Sequence, residues 1–245
     1  MNRLIVSKTA FARLAVLFAT LPATIVLVGL TGIVSAEATG MVSAEANVPT
    51  CSHCHGIAKW ATSPHTAGSA GSINATCLWA GDPANNFVDA EMWQGTDNAP
   101  YADYWVEAGE NYGNPNGGVR TWFWARNRPS DGYQQFFPSG TVDLGTWYEF
   151  QFSWVSGTNE WQITAPWGTS TANSNPPYGE WLQAGTEITE NSNRVRGDVA
   201  GLDYLDTSFN EHQGWSGAVP TDLGGGTTTT WVGSGNEQIH FVSSC

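Results

Sequence analysis

Residues 147–155 read Trp-Tyr-Glu-Phe-Gln-Phe-Ser-Trp-Val. Tyr148, Phe150, Phe152 and Trp154 are aromatic at every second position, and Glu149, Gln151 and Ser153 stand between them. A period of two puts the aromatic set on one face of a strand and the polar set on the other, which no helix reproduces. The alternation recurs. In 181–188, Leu182, Ala184 and Ile188 oppose Trp181, Gln183 and Glu187; in 104–109, Val106 and Ala108 oppose Trp105 and Glu107. In 120–126, Arg120, Trp122, Trp124 and Arg126 oppose Thr121, Phe123 and Ala125. Turn formers separate the runs: Pro129-Ser-Asp-Gly132, Pro138-Ser-Gly140 and Ser156-Gly-Thr-Asn159. With no segment of helical period, the chain reads as an all-β antiparallel sandwich.

The sandwich is expected over 70–245. Before it, Arg3, Lys8 and Arg13, the apolar run 14–34 and the small-residue site Val34-Ser35-Ala36 read as a signal peptide over 1–36. The repeat of Val-Ser-Ala-Glu-Ala at 42–46 allows cleavage after Ala44 instead, and an uncleaved anchor is the alternative. Residues 37–69, rich in Ala, Ser, Gly and Thr, read as an irregular N-terminal arm. The stretches 167–179 and 211–230 read as long loops of the kind that border binding sites. A secreted, monomeric protein is expected, free of the membrane once the signal is cut.

Charge excludes one class of partner. Beyond residue 36 stand six Lys and Arg against 22 Asp and Glu, a net charge of −16, and Lys59 is the one lysine there. Such a surface repels phosphate backbones, so nucleic acid is not a partner. It sheds charge on acidification, which suits an acidic working environment.

Four cysteines, Cys51, Cys54, Cys77 and Cys245, lie in the exported part. An even count outside the cell favours disulfides, and three pairings are open. The segment Cys51-Ser-His-Cys54-His55 also has the spacing of c-type haem attachment, with His55 as the proximal ligand. A haem protein is therefore an alternative, although no helical shell follows. Zinc at Cys51 and Cys54 with His53, His55 or His65 would lack a second cysteine pair at typical spacing. Disulfides tying the arm to Cys77 and Cys245, with no metal or cofactor, are the expectation.

Parity gives the candidate site. Glu107 and Glu187 fall on the non-core faces of their strands, beside Trp105 and Trp181, and Gln183 shares that face. Trp122 and Trp124 are assigned to the same face. Tryptophan away from a core usually contacts a ligand or a covering loop. Glu180 and Glu190 have the parity of Leu182 and Ile188 and rank lower.

The stretch Glu91-Met-Trp93-Gln-Gly95-Thr-Asp97, followed by Tyr104-Trp-Val-Glu107-Ala-Gly109, resembles the eqolisin glutamic peptidases. Thr121-Trp-Phe-Trp124 is similar to that family's Trp-Tyr-Glu-Trp strand, and Ala184-Gly-Thr-Glu187-Ile-Thr-Glu190 to the strand carrying its catalytic glutamate. The resemblance spans about 70–205 and implies a jelly-roll-like sandwich with an active site on a concave sheet face. Glu107 stands at the family's glutamine position and Phe123 at that of the glutamate between the tryptophans. This is closer to the neprosin-like relatives, in which two glutamates work as a pair. The resemblance thus implies catalysis by Glu107 and Glu187 on a peptide substrate in acid. Two close carboxyls can share a proton, one acting as base toward water and the other as donor to the carbonyl oxygen. The alternative from another class is a lectin-like module binding polysaccharide through Trp105, Trp122, Trp124, Trp181 and Gln183.

Overall fold

The computed structural model describes residues 53–98, 100, 102–173, 176–215, 219–222, 228–231, 239–243 and 245. The expected signal peptide, its two cleavage sites and Cys51 lie outside them. Among the described residues the secondary structure is strand throughout: β1 (Cys54–Trp79), β2 (Phe87–Thr96), β3 (Tyr104–Gly113), β4 (Arg120–Arg128), β5 (Gly132–Phe136), β6 (Tyr148–Val155) and β7 (Glu160–Ala165). There follow β8 (Gly168–Asn173), β9 (Gly179–Ile188), β10 (Arg194–Asp206), β11 (Glu211–Gln213), β12 (Val219–Asp222), β13 (Thr228–Trp231) and β14 (Ile239–Ser243). All pairings are antiparallel.

Strand β1 belongs to two layers. Its first part lies between β9 and β12, and the first layer continues from β9 through β2, β3 and β4 to β5. Its second part, from Thr66, lies between β10 and β6. The second layer runs on to β14 and β13 on one side and to β7 and β8 on the other. A strand that changes sheet at a bend is a recurrent corner of sandwiches. The register with β9 breaks between Ala61 and Thr66 at this corner. A buried polar chain holds it: Ser69 Oγ donates to Gln94 Oε1 at 2.9 Å, and Gln94 Nε2 donates to Thr66 Oγ1 at 3.1 Å. Buried polar groups are tolerated when paired in this way.

The core lies between the layers. Val88, Ala90, Met92, Val106, Ala108, Leu182, Ala184 and Ile188 meet Ile73, Phe150, Phe152, Ile163, Val195 and Val199. The alternation expected in 104–109, 147–155 and 181–188 is observed, and Phe150 and Phe152 are fully buried. Each such side chain contributes roughly 1.5–3 kcal/mol by leaving water.

Three expectations need correction. The irregular arm is not irregular from Cys54 onward, since residues 54–69 are the first part of β1. The expected loops at 167–179 and 211–230 contain β8, β11, β12 and part of β13. Trp122 and Trp124 face the core, not the outer face with Glu107. Opposed residues of an antiparallel ladder share a face, and the register sets Trp124 opposite the core residue Ala108. Trp122 packs edge-on against Tyr148 at 4.4 Å between ring centres, and Trp124 stacks on Phe136 at 4.1 Å. Burying two indoles between the layers outweighs leaving them on a polar face.

A fourth correction concerns the cysteines: Cys77 and Cys245 form a disulfide with each other, so they do not tie the N-terminal arm as expected. Cys54 is also disulfide-bonded, and no described cysteine is free. No described helix is long and apolar enough to cross a membrane.

Candidate functional site

The face of the first layer turned away from the core carries the odd-numbered side chains of β1, β2, β3, β4, β5 and β9. Strand register orders them in rows. His55, Glu187, Asp89, Asn111 and Thr121 form one row. Ile57, Gly185, Glu91, Gly109 and Phe123 form the next. Lys59, Gln183, Trp93, Glu107, Ala125 and Gln135 form the third, and Trp181, Gly95, Trp105, Asn127 and Tyr133 the fourth. A cleft of about 420 Å³ opens over these rows, with Glu107 and Glu187 both in its wall.

Glycine spacing makes the cleft possible. A Cβ on Gly95 would lie 2.3 Å from the Trp181 ring, so only glycine lets that indole lie across β2. The Trp181 Nε1–H donates to Asp97 Oδ1 at 2.9 Å, and the Lys59 ammonium sits 5.1 Å above the same ring. Trp93, Trp181, Ile57 and the partly buried Trp105 pack together as a small second apolar cluster.

Four carboxyls, Asp89, Glu91, Glu107 and Glu187, share this face, and their environments differ. Burial, followed by the charge of Glu187, pushes Asp89 well above the usual carboxylate range. Asn111 Nδ2 opposes this by donating to Asp89 Oδ1 at 2.7 Å. Glu91 is raised by burial, then by Glu107, Asp89 and Glu187, and both its oxygens lack a hydrogen-bond partner among the described residues. Burial pushes Glu107 up to about 7, assisted by the charge of Glu187. The Tyr133 hydroxyl, donating to Glu107 Oε1 at 2.7 Å, and the Trp93 and Trp105 indoles pull it back down. Glu187 is more open and meets imidazoles instead: its Oε1 is 2.5 Å from His53 Nδ1 and 3.7 Å from His55 Nε2.

One oxygen from each of Asp89, Glu91 and Glu187 lies within 4.8 Å of the others. Asp89 and Glu91, raised by burial, can share protons within this group, and the same three oxygens are placed to hold a cation. The cysteine and histidine set weighed for haem or zinc is not assembled. Cys54 joins the core and its sulfur is in a disulfide, whereas the adjacent His55 faces the cleft. A haem thioether and a zinc thiolate each need that sulfur free.

Of the residues picked out from sequence, Glu107, Glu187, Trp105, Trp181 and Gln183 meet at the cleft. Trp122 and Trp124 do not. Glu180 accepts hydrogen bonds from the Asp97 and Asn98 amides at 2.8 and 2.9 Å, and Glu190 accepts from Asn86 Nδ2 at 2.5 Å. Both therefore serve loops. Sequence reasoning missed Asp89, Glu91, Trp93, Tyr133 and the cleft-facing role of His53 and His55. The first three were within reach: Val88, Ala90 and Met92 alternate with Asp89, Glu91 and Trp93. Tyr133 and the histidines required the strand register.

Fold and face together define a class: a two-layered antiparallel sandwich with a cluster of carboxyls beneath tryptophans on one outer face. Scytalido-glutamic peptidase, solved with a transition state analog inhibitor, is similar in fold, with a TM-score of 0.55 at 10% identity over 81% of this chain and 100% of that one. A second structure of scytalido-glutamic peptidase, with a peptide based transition state analog, gives a TM-score of 0.52 at 11% identity over the same shares. At such identity the likeness is one of fold. No family model and no curated protein matches the chain.

Proposed function

We propose that the chain is an acid-acting, exported glutamic endopeptidase in which Glu107 and Glu187 are the catalytic pair. The observation that carries this reading is the unequal pair on one cleft: a buried Glu107 that stays protonated up to about 7, and a more open Glu187 held by imidazoles. Glu187, as the carboxylate, takes a proton from water as the water attacks the peptide carbonyl carbon. Glu107, as the acid, donates to the carbonyl oxygen as it becomes the tetrahedral oxyanion. Proton transfer to the leaving amine then lets the C–N bond break. The division of labour follows from burial, which keeps Glu107 as the acid, and from the imidazoles that meet the more open Glu187. The shared fold of scytalido-glutamic peptidase supports the same reading, and the Cys77–Cys245 disulfide suits an oxidising, extracellular setting.

Polysaccharide binding is the weaker reading. Sugar stacking needs open ring faces, yet Trp93 and Trp181 are 6% and 9% exposed and pack on one another's cluster. The purified chain is expected to cleave a denatured protein substrate in acid, and Glu107→Gln or Glu187→Gln to lower kcat by at least ~100-fold. Turnover by both variants at the parent rate would eliminate the proposal.

A further inference from the structure

The Cys51-Ser-His-Cys54-His55 segment has a use that neither haem nor zinc accounts for. Residue 53 immediately precedes β1, and Cys54 and His55 begin it, with His55 opposite Glu187 in the β1–β9 register. His53 and His55 reach the same oxygen of Glu187, at 2.5 and 3.7 Å. The His53 ring also packs edge-on against Phe87 at 5.9 Å, and His55 edge-on against Trp93 at 6.3 Å. Both imidazoles are thus seated by aromatic neighbours on β2. Cys54, buried in the core and disulfide-bonded, fixes the backbone between them.

The other groups around Glu187 give this arrangement its meaning. Asp89 and Glu91 face it from β2, Glu107 from β3, and Tyr133 lies in the same cleft wall on β5. None of them is a cation. Lys59, on the same face, is engaged with Asp97 at 3.4 Å and with the Trp181 ring. We infer that His53 and His55 are positioning residues for the general base: the two imidazoles converge on one carboxyl oxygen of Glu187 and, as cations, favour its carboxylate form. The inference rests on the peptidase reading for its role in turnover. One acidic surface can then supply both a base and an acid, with no arginine among the described residues that line the cleft.

The test has two independent arms on the full chain. In the first, the ¹³C shift of the Glu187 side-chain carboxyl is followed by NMR at about pH 5, below the ordinary imidazole midpoint. The parent should show the carboxylate shift, and the double variant His53→Gln with His55→Gln should move well toward the carboxylic-acid shift. His53→Arg with His55→Gln, which restores a cation, should return to the carboxylate shift, as a purely structural role for the ring would not. An unmoved Glu187 signal in the double glutamine variant overturns the inference. In the second arm, kcat/KM on a denatured protein is profiled against pH. The acidic limb should shift upward in the double glutamine variant while the alkaline limb stays in place. Faster acidic turnover in that variant would mean that the imidazoles obstruct the base, and would also overturn it. If the parent shows no turnover at any pH, the peptidase reading fails, and the NMR arm alone judges the histidine coupling.

Discussion

Tyr133 donates its hydroxyl to Glu107, and this bond bears directly on when Glu107 is an acid. Desolvation of its hydroxyl against Glu107, and next the charge of Glu107, hold the Tyr133 phenol well above its ordinary range even though the ring is half-exposed, so it remains a donor throughout. A donor stabilises the carboxylate and lowers Glu107 against the upward push of burial. Tyr133→Phe removes that donor. Because a hydrogen bond to a charged group contributes about 1.5–3 kcal/mol, the alkaline limb of the pH–rate profile should move up by about one to two pH units. An alkaline limb that stays put or moves down would detach Tyr133 from the ionisation of Glu107. At this scale the sequence was half legible. The outer parity of Glu107 and Glu187 depends on neighbours of clear preference, Val106 and Ala108 for one and Leu182 and Ile188 for the other. Trp122 and Trp124 offered no such guide: Thr121, Phe123 and Ala125 between them are as apolar as a core demands. Only pairing with β3 shows which set turns inward.

Strand β1 shows why part of an element can be hidden in a sequence. Over 54–69 its Ala, Ser, Gly and Thr read as an irregular arm because they lack apolar alternation. In the fold they are small because β1 is enclosed. Pairing strands flank it along most of its length, and bulges at Thr66/Gly68, Ala70/Ser72 and Ala75/Cys77 break the period on which parity depends. Small size is therefore a packing requirement here, and it can be graded. A Cβ on Gly68 would lie 2.6 Å from the Phe152 carbonyl oxygen, which is backbone and cannot give way without moving β6. A Cβ on Gly71 would meet Leu202 Cδ2 at 2.8 Å and Met92 Sδ at 2.9 Å, the ends of flexible side chains. Overpacking of this kind costs about 1–3 kcal/mol. Gly68→Ala should fall near the upper end of that range and Gly71→Ala near the lower, read as the drop in urea midpoint at unchanged m-value. Equal losses, or the reverse order, would contradict the close approach of β6 to β1.

Taken together, the buried carboxyls set how the whole molecule responds to pH. Asp89, Glu91 and Glu107 lie under the cleft, and Glu110 lies on the opposite, core-facing side of β3, opposite Trp122. Burial raises all four, Glu107 to about 7. Each keeps its proton in the folded chain to a higher pH than in the unfolded chain. Between the two midpoints the folded state binds more protons, so raising the pH favours unfolding. Their contribution is complete below the unfolded carboxyl midpoints, near pH 4, and is lost as pH climbs through the folded ones. For Glu107 alone the loss between pH 4 and neutrality is on the order of 3 kcal/mol, a large share of a typical domain's stability. Asp131, held low by Arg128, and Asp206, held low by His212 and Asn210, work in the opposite direction and would lose stability in acid. Both are exposed pairs that solvent screens, so they do not offset the buried set. The melting temperature should accordingly fall from pH 4 to pH 7.5 in calorimetry, and added salt should not reverse the trend. Glu110→Gln isolates the effect from the cleft, since it removes a buried ionisation on the core face and leaves Glu107 and Glu187 in place. It should flatten the decline and make the variant more stable than the parent at neutral pH, with little difference near pH 4. A melting temperature that rises toward neutrality, or a Glu110→Gln slope identical to the parent's, would mean that these carboxyls do not govern the acid preference of the fold.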